Sequence, residues 1–138
     1  MDKPLKPELQ TAIARYPAAV QQQVLRLRAE ILAVAAGSEG VGELLETLKW
    51  GELSFVTEQS KSGSTLRVAW STKQAEYLGL YVNCKTSLVD SYQTLFPGLF
   101  VYQKQRALLL PLDSAWPLAE LRICISMALR YHLDKRKR

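Results

Sequence analysis

Tyr77-Leu78-Gly79-Leu80-Tyr81-Val82-Asn83-Cys84-Lys85-Thr86-Ser87-Leu88-Val89 changes its period halfway along. Leu78, Leu80 and Val82 alternate with Tyr77, Gly79 and Tyr81, the pattern of a strand with one buried face. From Ser87 the spacing becomes helical and runs to Phe96, where Pro97-Gly98 stops it. A strand that hands over to a short helix sets the fold class, and the segments on either side extend it.

Upstream, Leu66, Val68 and Trp70 alternate with Thr65, Arg67 and Ala69, and Lys61-Ser62-Gly63-Ser64 reads as a turn. Glu46 to Trp50 and Leu53 to Thr57 read as short strands around Gly51. Downstream, Phe100 to Tyr102 and Ala107 to Leu110 form a hairpin through Gln103-Lys104-Gln105-Arg106. Two helical regions flank the strands. Val20, Val24, Leu27, Ile31 and Val34 make one apolar stripe over Pro17 to Val34, with Pro17 suited to the first helical position. A shorter helix precedes it over Pro7 to Arg15. The final helix spans Pro117 to Leu133, with Leu118, Leu121, Ile125, Ala128 and His132 on one stripe. Ile123, Met127 and Tyr131 form a second apolar face opposite, which suits a sandwiched helix or a dimer contact. With no βαβ alternation, this order predicts an α+β fold: an antiparallel sheet of about five strands with N- and C-terminal helices on one face.

The 138 residues suit one domain, with a core over about 15–133 and a basic tail over 134–138. Apolar content is 48%, and no run is long enough to span a membrane. The N-terminus has no apolar targeting segment, so the expected compartment is the cytoplasm. Cys84 and Cys124 have neither disulfide nor zinc spacing and read as free thiols. The net charge is +5, of which four basic residues and one acidic residue at the tail hold +3. No aromatic residues interleave with those charges, which argues against a nucleic-acid partner.

The candidate site is the strand-to-helix junction. Free N–H groups at a helix start favour anions; Lys85 adds charge and Thr86 adds a hydroxyl. Against this, Ser87 and Asp90 have the spacing of a capping box, which would satisfy those N–H groups internally. Cys84 precedes the helix, and His132, the only histidine, would be the base of a nucleophile pair, though no local signature joins the two. Trp50 reads either as the wall of a pocket or as core beside a Gly51 bulge. If Lys49, Arg67, Lys85 and Arg106 converge, they form a basic pocket for phosphate or carboxylate. No glycine-rich phosphate loop, paired-carboxylate motif, serine elbow, metal-ligand cluster or cofactor motif appears.

Five runs together carry a resemblance: Leu48 to Phe55, Gly63 to Arg67, Tyr81 to Val89, Arg106-Ala107 and Cys124 to His132. In order and spacing they resemble the YdhG-like bacterial domain of unknown function, over about residues 15 to 133. The resemblance implies a small α+β domain with helices on one sheet face. It also implies an iron-chaperone role of the kind ascribed to frataxin-like relatives. That role needs carboxylates clustered on the first long helix, where this chain has Arg26, Arg28 and Glu30. Members of the family often carry Pro after the Trp-Gly pair and Gly-Asn before the hairpin Arg, where this chain has Glu52-Leu53 and Lys104-Gln105. The expected function is therefore a non-enzymatic binding module for a small anion or metabolite. Its expected ligand-binding residues are Lys49, Trp50, Arg67, Cys84, Lys85, Thr86, Arg106 and His132. An iron chaperone and a dimerisation domain using the final helix are the alternatives.

Overall fold

The computed structural model describes residues 3–136. Helices α1 (Pro7–Ala14) and α2 (Ala18–Ala36) lead into strands β1 (Leu45–Lys49), β2 (Glu52–Val56), β3 (Leu66–Ala69) and β4 (Tyr77–Tyr81). Then come α3 (Leu88–Leu95), β5 (Val101–Gln103), β6 (Ala107–Pro111), α4 (Leu118–Leu129) and α5 (Tyr131–Arg136). The fold is α+β, with six strands in the order β1-β2-β3-β4-β6-β5, every pair antiparallel.

Register sorts the side chains into two faces. Phe55 lies opposite Leu66, Leu53 opposite Val68, Val68 opposite Leu80, and Leu80 opposite Leu108. All of these are buried, and they meet Leu9, Val24, Leu27, Ile31, Leu121 and Ile125 from the helices. Each such aliphatic side chain contributes about 1.5–3 kcal/mol by leaving water. The opposite face carries Ser54, Arg67, Tyr81, Ala107 and Gln103 in one cross-strand row.

β1 is an edge strand, and two lysines bind carbonyls at and just before its start. Lys3 Nζ donates to Leu44 O at 3.3 Å and Lys6 Nζ to Glu46 O at 3.0 Å. Occupying edge carbonyls in this way discourages pairing with another chain. Glu46 itself points to the covered face, where Arg28 from α2 meets it in a two-pronged bond of 2.5 and 3.0 Å. The same guanidinium donates to Lys3 O at 2.9 Å. The pair ties α2, β1 and the N-terminal segment together.

Several expectations change in the structure. Pro17 is the N-cap, with extended ψ 151°, and α2 starts one residue later. The single C-terminal helix breaks at Arg130. The break has a cause in the Lys61–Ser64 turn. Ser64 N–H donates to Ala128 O at 2.9 Å and Ser62 Oγ to Leu129 O at 2.7 Å, while Ser62 O accepts from His132 N–H at 2.8 Å and Leu133 N–H at 3.1 Å. These bonds replace helical ones across Arg130. Gly63 permits the approach, because a Cβ there would sit 2.3 Å from the Leu129 backbone. The break carries His132 off the buried stripe, and it is exposed. On the second apolar face Ile123 is 47% exposed, whereas Met127 and Tyr131 are half-buried against the core. Of the basic tail, 134–136 continue α5, and residues 137–138 lie outside the described residues.

Candidate functional site

A cavity of about 390 Å3 opens at one end of the uncovered sheet face, lined by Lys49, Trp50, Thr65, Arg67, Tyr81, Val82, Asn83, Cys84 and Arg106. Each element delivers its residue for a local reason. β1 and β2 join through a two-residue turn in which Trp50 has φ 57° and Gly51 φ 76°. Two successive positive φ values define the turn that matches strand twist, and the first position favours Asn, Asp or Gly. A tryptophan there is held in a sparsely populated backbone region. It is 90% exposed. The Gly51 bulge and the core position for Trp50 are therefore both overturned: the turn points the indole away from the core.

Arg67 and Tyr81 are direct partners across β3 and β4. A Cβ on Gly79 would lie 2.4 Å from Tyr81 Cε1, so the tyrosine ring lies back along its own strand over the glycine. The Arg67 guanidinium then sits 5.0 Å from the Tyr81 ring centroid, within cation–π range. Arg67 Nε is also 2.9 Å from Glu52 Oε1. Its N–H is not aimed at that oxygen, and Nε is buried without a hydrogen-bond partner. Proximity without a directed bond makes this an ionic contact only. Lys49 and Arg106 have no ion pair among the described residues. Three cations thus face one cavity against one adjacent carboxylate, Glu52.

The structure brings together Lys49, Trp50, Arg67, Cys84 and Arg106, and leaves out Lys85, Thr86 and His132. The reason for the first two is local. Asn83 closes a turn in which its Oδ1 accepts from Lys85 N–H at 2.9 Å and its carbonyl accepts from Thr86 Oγ1 at 2.7 Å. The Lys85 backbone N–H and the Thr86 hydroxyl are thus committed within the turn, and the Lys85 side chain is not among the cavity's lining. The capping box does not form either. Ser87, at φ −91° and ψ 14°, makes no side-chain cap bond, and Asp90 instead accepts from Gln105 Nε2 at 2.8 Å. Cys84 and His132 are both exposed and no hydrogen bond joins them, so the nucleophile–base pair is not assembled. Thr65, Tyr81 and Asn83 were not among the expected ligand residues. For Tyr81 the signal was present, since strand alternation puts it on the same face as Arg67.

The second thiol behaves oppositely. Cys124 is buried on α4, and burial pushes its thiol up to about 12, with Glu120 adding to the rise. A larger concavity of about 940 Å3 runs along α2, where Leu25, Ala29, Leu32, Ala33 and Ala36 supply its apolar wall. Its charges are already paired: Arg28 is bound to Glu46, and Lys3 to Glu43 at 3.3 Å. It offers shape without uncommitted chemistry, so the smaller cavity is the better candidate. No group of three or more His, Cys, Asp or Glu is placed to hold a metal among the described residues. No helix among them is long and apolar enough to cross a membrane. Comparison with known protein families, curated proteins and solved structures finds no match to this chain.

Proposed function

We propose that this protein is a binding module for a small anionic ligand, held at the open sheet face by Lys49, Arg67 and Arg106 with Trp50 beside them. The observation that carries this reading is the pairing state of the cations. Among the described residues Lys49 and Arg106 form no ion pair, and Arg67 keeps a buried N–H without an acceptor. A buried N–H without an acceptor is uncommon in a folded protein, while Lys49 and Arg106 are exposed and uncommitted. A guanidinium fork suits phosphate or carboxylate oxygens, and Lys49 adds a point charge. The cavity size falls within the ordinary range for small-molecule sites. Four of the five runs that carry the YdhG-like resemblance supply lining residues, among them Lys49, Arg67, Cys84 and Arg106, so that resemblance forms part of the proposal.

The test is a thermal-shift and calorimetric titration with inorganic phosphate, phosphorylated sugars and small dicarboxylates. A ligand at a hundred times its dissociation constant stabilises the fold by about 2.7 kcal/mol. The expected result is an anion-dependent shift that Arg67→Ala and Arg106→Ala each abolish. An undiminished shift in both variants, or no shift with any anion, would sink the reading.

A further inference from the structure

The molecule has three tryptophans, and the fold accounts for two of them. Trp116 is 4% exposed, donates its indole N–H to Pro111 O at 2.8 Å, and lies under the Arg26 guanidinium at 4.6 Å. Trp70 donates to Ala75 O at 2.9 Å and meets the Tyr16 ring edge-on at 6.1 Å. Trp50 has neither an indole hydrogen bond nor a ring neighbour among the described residues. It is 90% exposed, on a turn whose φ of 57° a bulky residue rarely takes. Asparagine or glycine would serve that turn with less strain. An aromatic residue placed where the fold gains nothing from it, at the rim of a cavity whose Lys49 and Arg106 have no ion pair among the described residues, points to a use of its ring outside the fold.

We propose that the ligand is a phosphorylated planar heterocycle of mononucleotide size: its phosphate meets Arg67, Arg106 and Lys49, and its ring stacks on Trp50. This inference rests on the anion reading above and adds the ring. Every aromatic heterocycle offers a π face, so an exposed indole selects for flatness over a particular base. A strand of single-stranded nucleic acid is the less favoured occupant. Such strands need successive free rings along a basic track. Here Tyr81, the other aromatic in the cavity, is already covered by the Arg67 guanidinium and laid against Gly79. One free ring beside one cluster of cations matches one base and one phosphate.

The experiment compares adenosine and uridine 5′-monophosphates and phenyl phosphate with ribose 5-phosphate, on the intact protein and on Trp50→Ala. Trp50 contributes no packing, so the variant is expected to keep its fold, and an unchanged melting temperature checks this. The ring-bearing phosphates are expected to bind about tenfold or more tighter than ribose 5-phosphate. Trp50→Ala should bring them down to the ribose 5-phosphate level without weakening ribose 5-phosphate itself. Trp50→Phe should recover part of the preference. Location is read separately from Cys84, the exposed thiol in the cavity wall, whose alkylation by iodoacetamide should slow when a mononucleotide is bound.

Equal affinity with and without the ring, or a ring preference that survives Trp50→Ala, overturns the stacking inference and leaves the anion reading standing. No binding by any phosphate overturns both. Binding that leaves Cys84 alkylation unprotected puts the ligand elsewhere and overturns both. A single-stranded oligonucleotide that binds more than about tenfold tighter than the mononucleotides overturns the small-ligand assignment in favour of nucleic acid.

Discussion

The two faces of the sheet each carry an arginine beside a glutamate, and the two pairs are built differently. On the covered face, Arg28 and Glu46 have side chains only 9% and 1% exposed and make a two-pronged bond. On the open face, the Arg67 and Glu52 side chains are 27% and 32% exposed, and the Nε–H of Arg67 is not directed at its neighbour. A buried charge must be fully satisfied, because an unpaired one costs several kcal/mol. A half-exposed charge is supported by water and can remain partly uncommitted. The first pair therefore holds the fold, and the second leaves the Arg67 guanidinium without a directed bond to a carboxylate. The thiols divide in the same way, Cys124 sealed beneath α4 and Cys84 open in the cavity wall.

The sharpest way to break this comparison is to remove one carboxylate from each pair. Glu46→Ala strands Arg28 in the interior and should cost about 3–5 kcal/mol in urea unfolding. Glu52→Ala should cost less than about 1 kcal/mol. Similar losses from both would mean that the two faces do not differ as described.

A second contrast uses pH. Burial raises Cys124 from 9.0 to about 12 and also raises Tyr92, which lies wholly inside and donates to Cys124 O at 2.7 Å. Both groups are neutral when protonated, and their folded values lie above their unfolded ones. Their contribution to stability is therefore complete below pH 9 and is lost as pH rises toward 12. Urea midpoints measured upward from pH 8 should fall over that window, and Cys124→Ala should make the slope shallower. The native protein at neutral pH should take up one equivalent of iodoacetamide, at Cys84, and a second only after unfolding. Two native equivalents would contradict the burial of Cys124.

A smaller effect sharpens the open face alone. Gly79→Ala forces the Tyr81 ring aside and with it the guanidinium stacked on it. The displaced rotamer should cost about 0.5–1.5 kcal/mol. Anion affinity should fall more than stability does, measured by calorimetry beside thermal unfolding. Smallest of all is Arg67→Ala, whose half-exposed contacts should change stability by less than about 1 kcal/mol. Its loss of anion binding should nonetheless be complete. A large stability loss would make Arg67 a structural residue and remove the contrast with Arg28.

Much of the fold was legible as period. Leu66, Val68, Leu78 and Leu80 are inner-face residues because strand alternation admits one register for a half-buried sheet. Val20, Val24, Leu27 and Ile31 are core because their spacing fills one helical stripe. Arg28 was the exception in α2. A charged residue inside an apolar stretch reads as surface, and only Glu46, eighteen positions away, makes its burial affordable.

The site divides along the same line. Alternation and turn chemistry put Lys49, Arg67 and Arg106 at strand ends, each a local property of the chain. The strand order that makes them neighbours is a set of long-range pairings, and β6 reaches β4 only by inserting ahead of β5. Ser87 and Asp90 had the local pattern of a cap, yet Gln105 from the β5–β6 turn took Asp90. The helix over Pro117 to Leu133 had a continuous pattern, yet the Ser62-Gly63-Ser64 backbone took the carbonyls at its middle. Local spacing fixed the strands, the stripe of α2 and the exposed cations, because each depends on residues a few positions apart, whereas the break in the last helix depended on a distant turn. Tertiary structure alone decided which polar groups stay unpaired, because a hydrogen-bond donor is free or taken only once every distant acceptor has been placed.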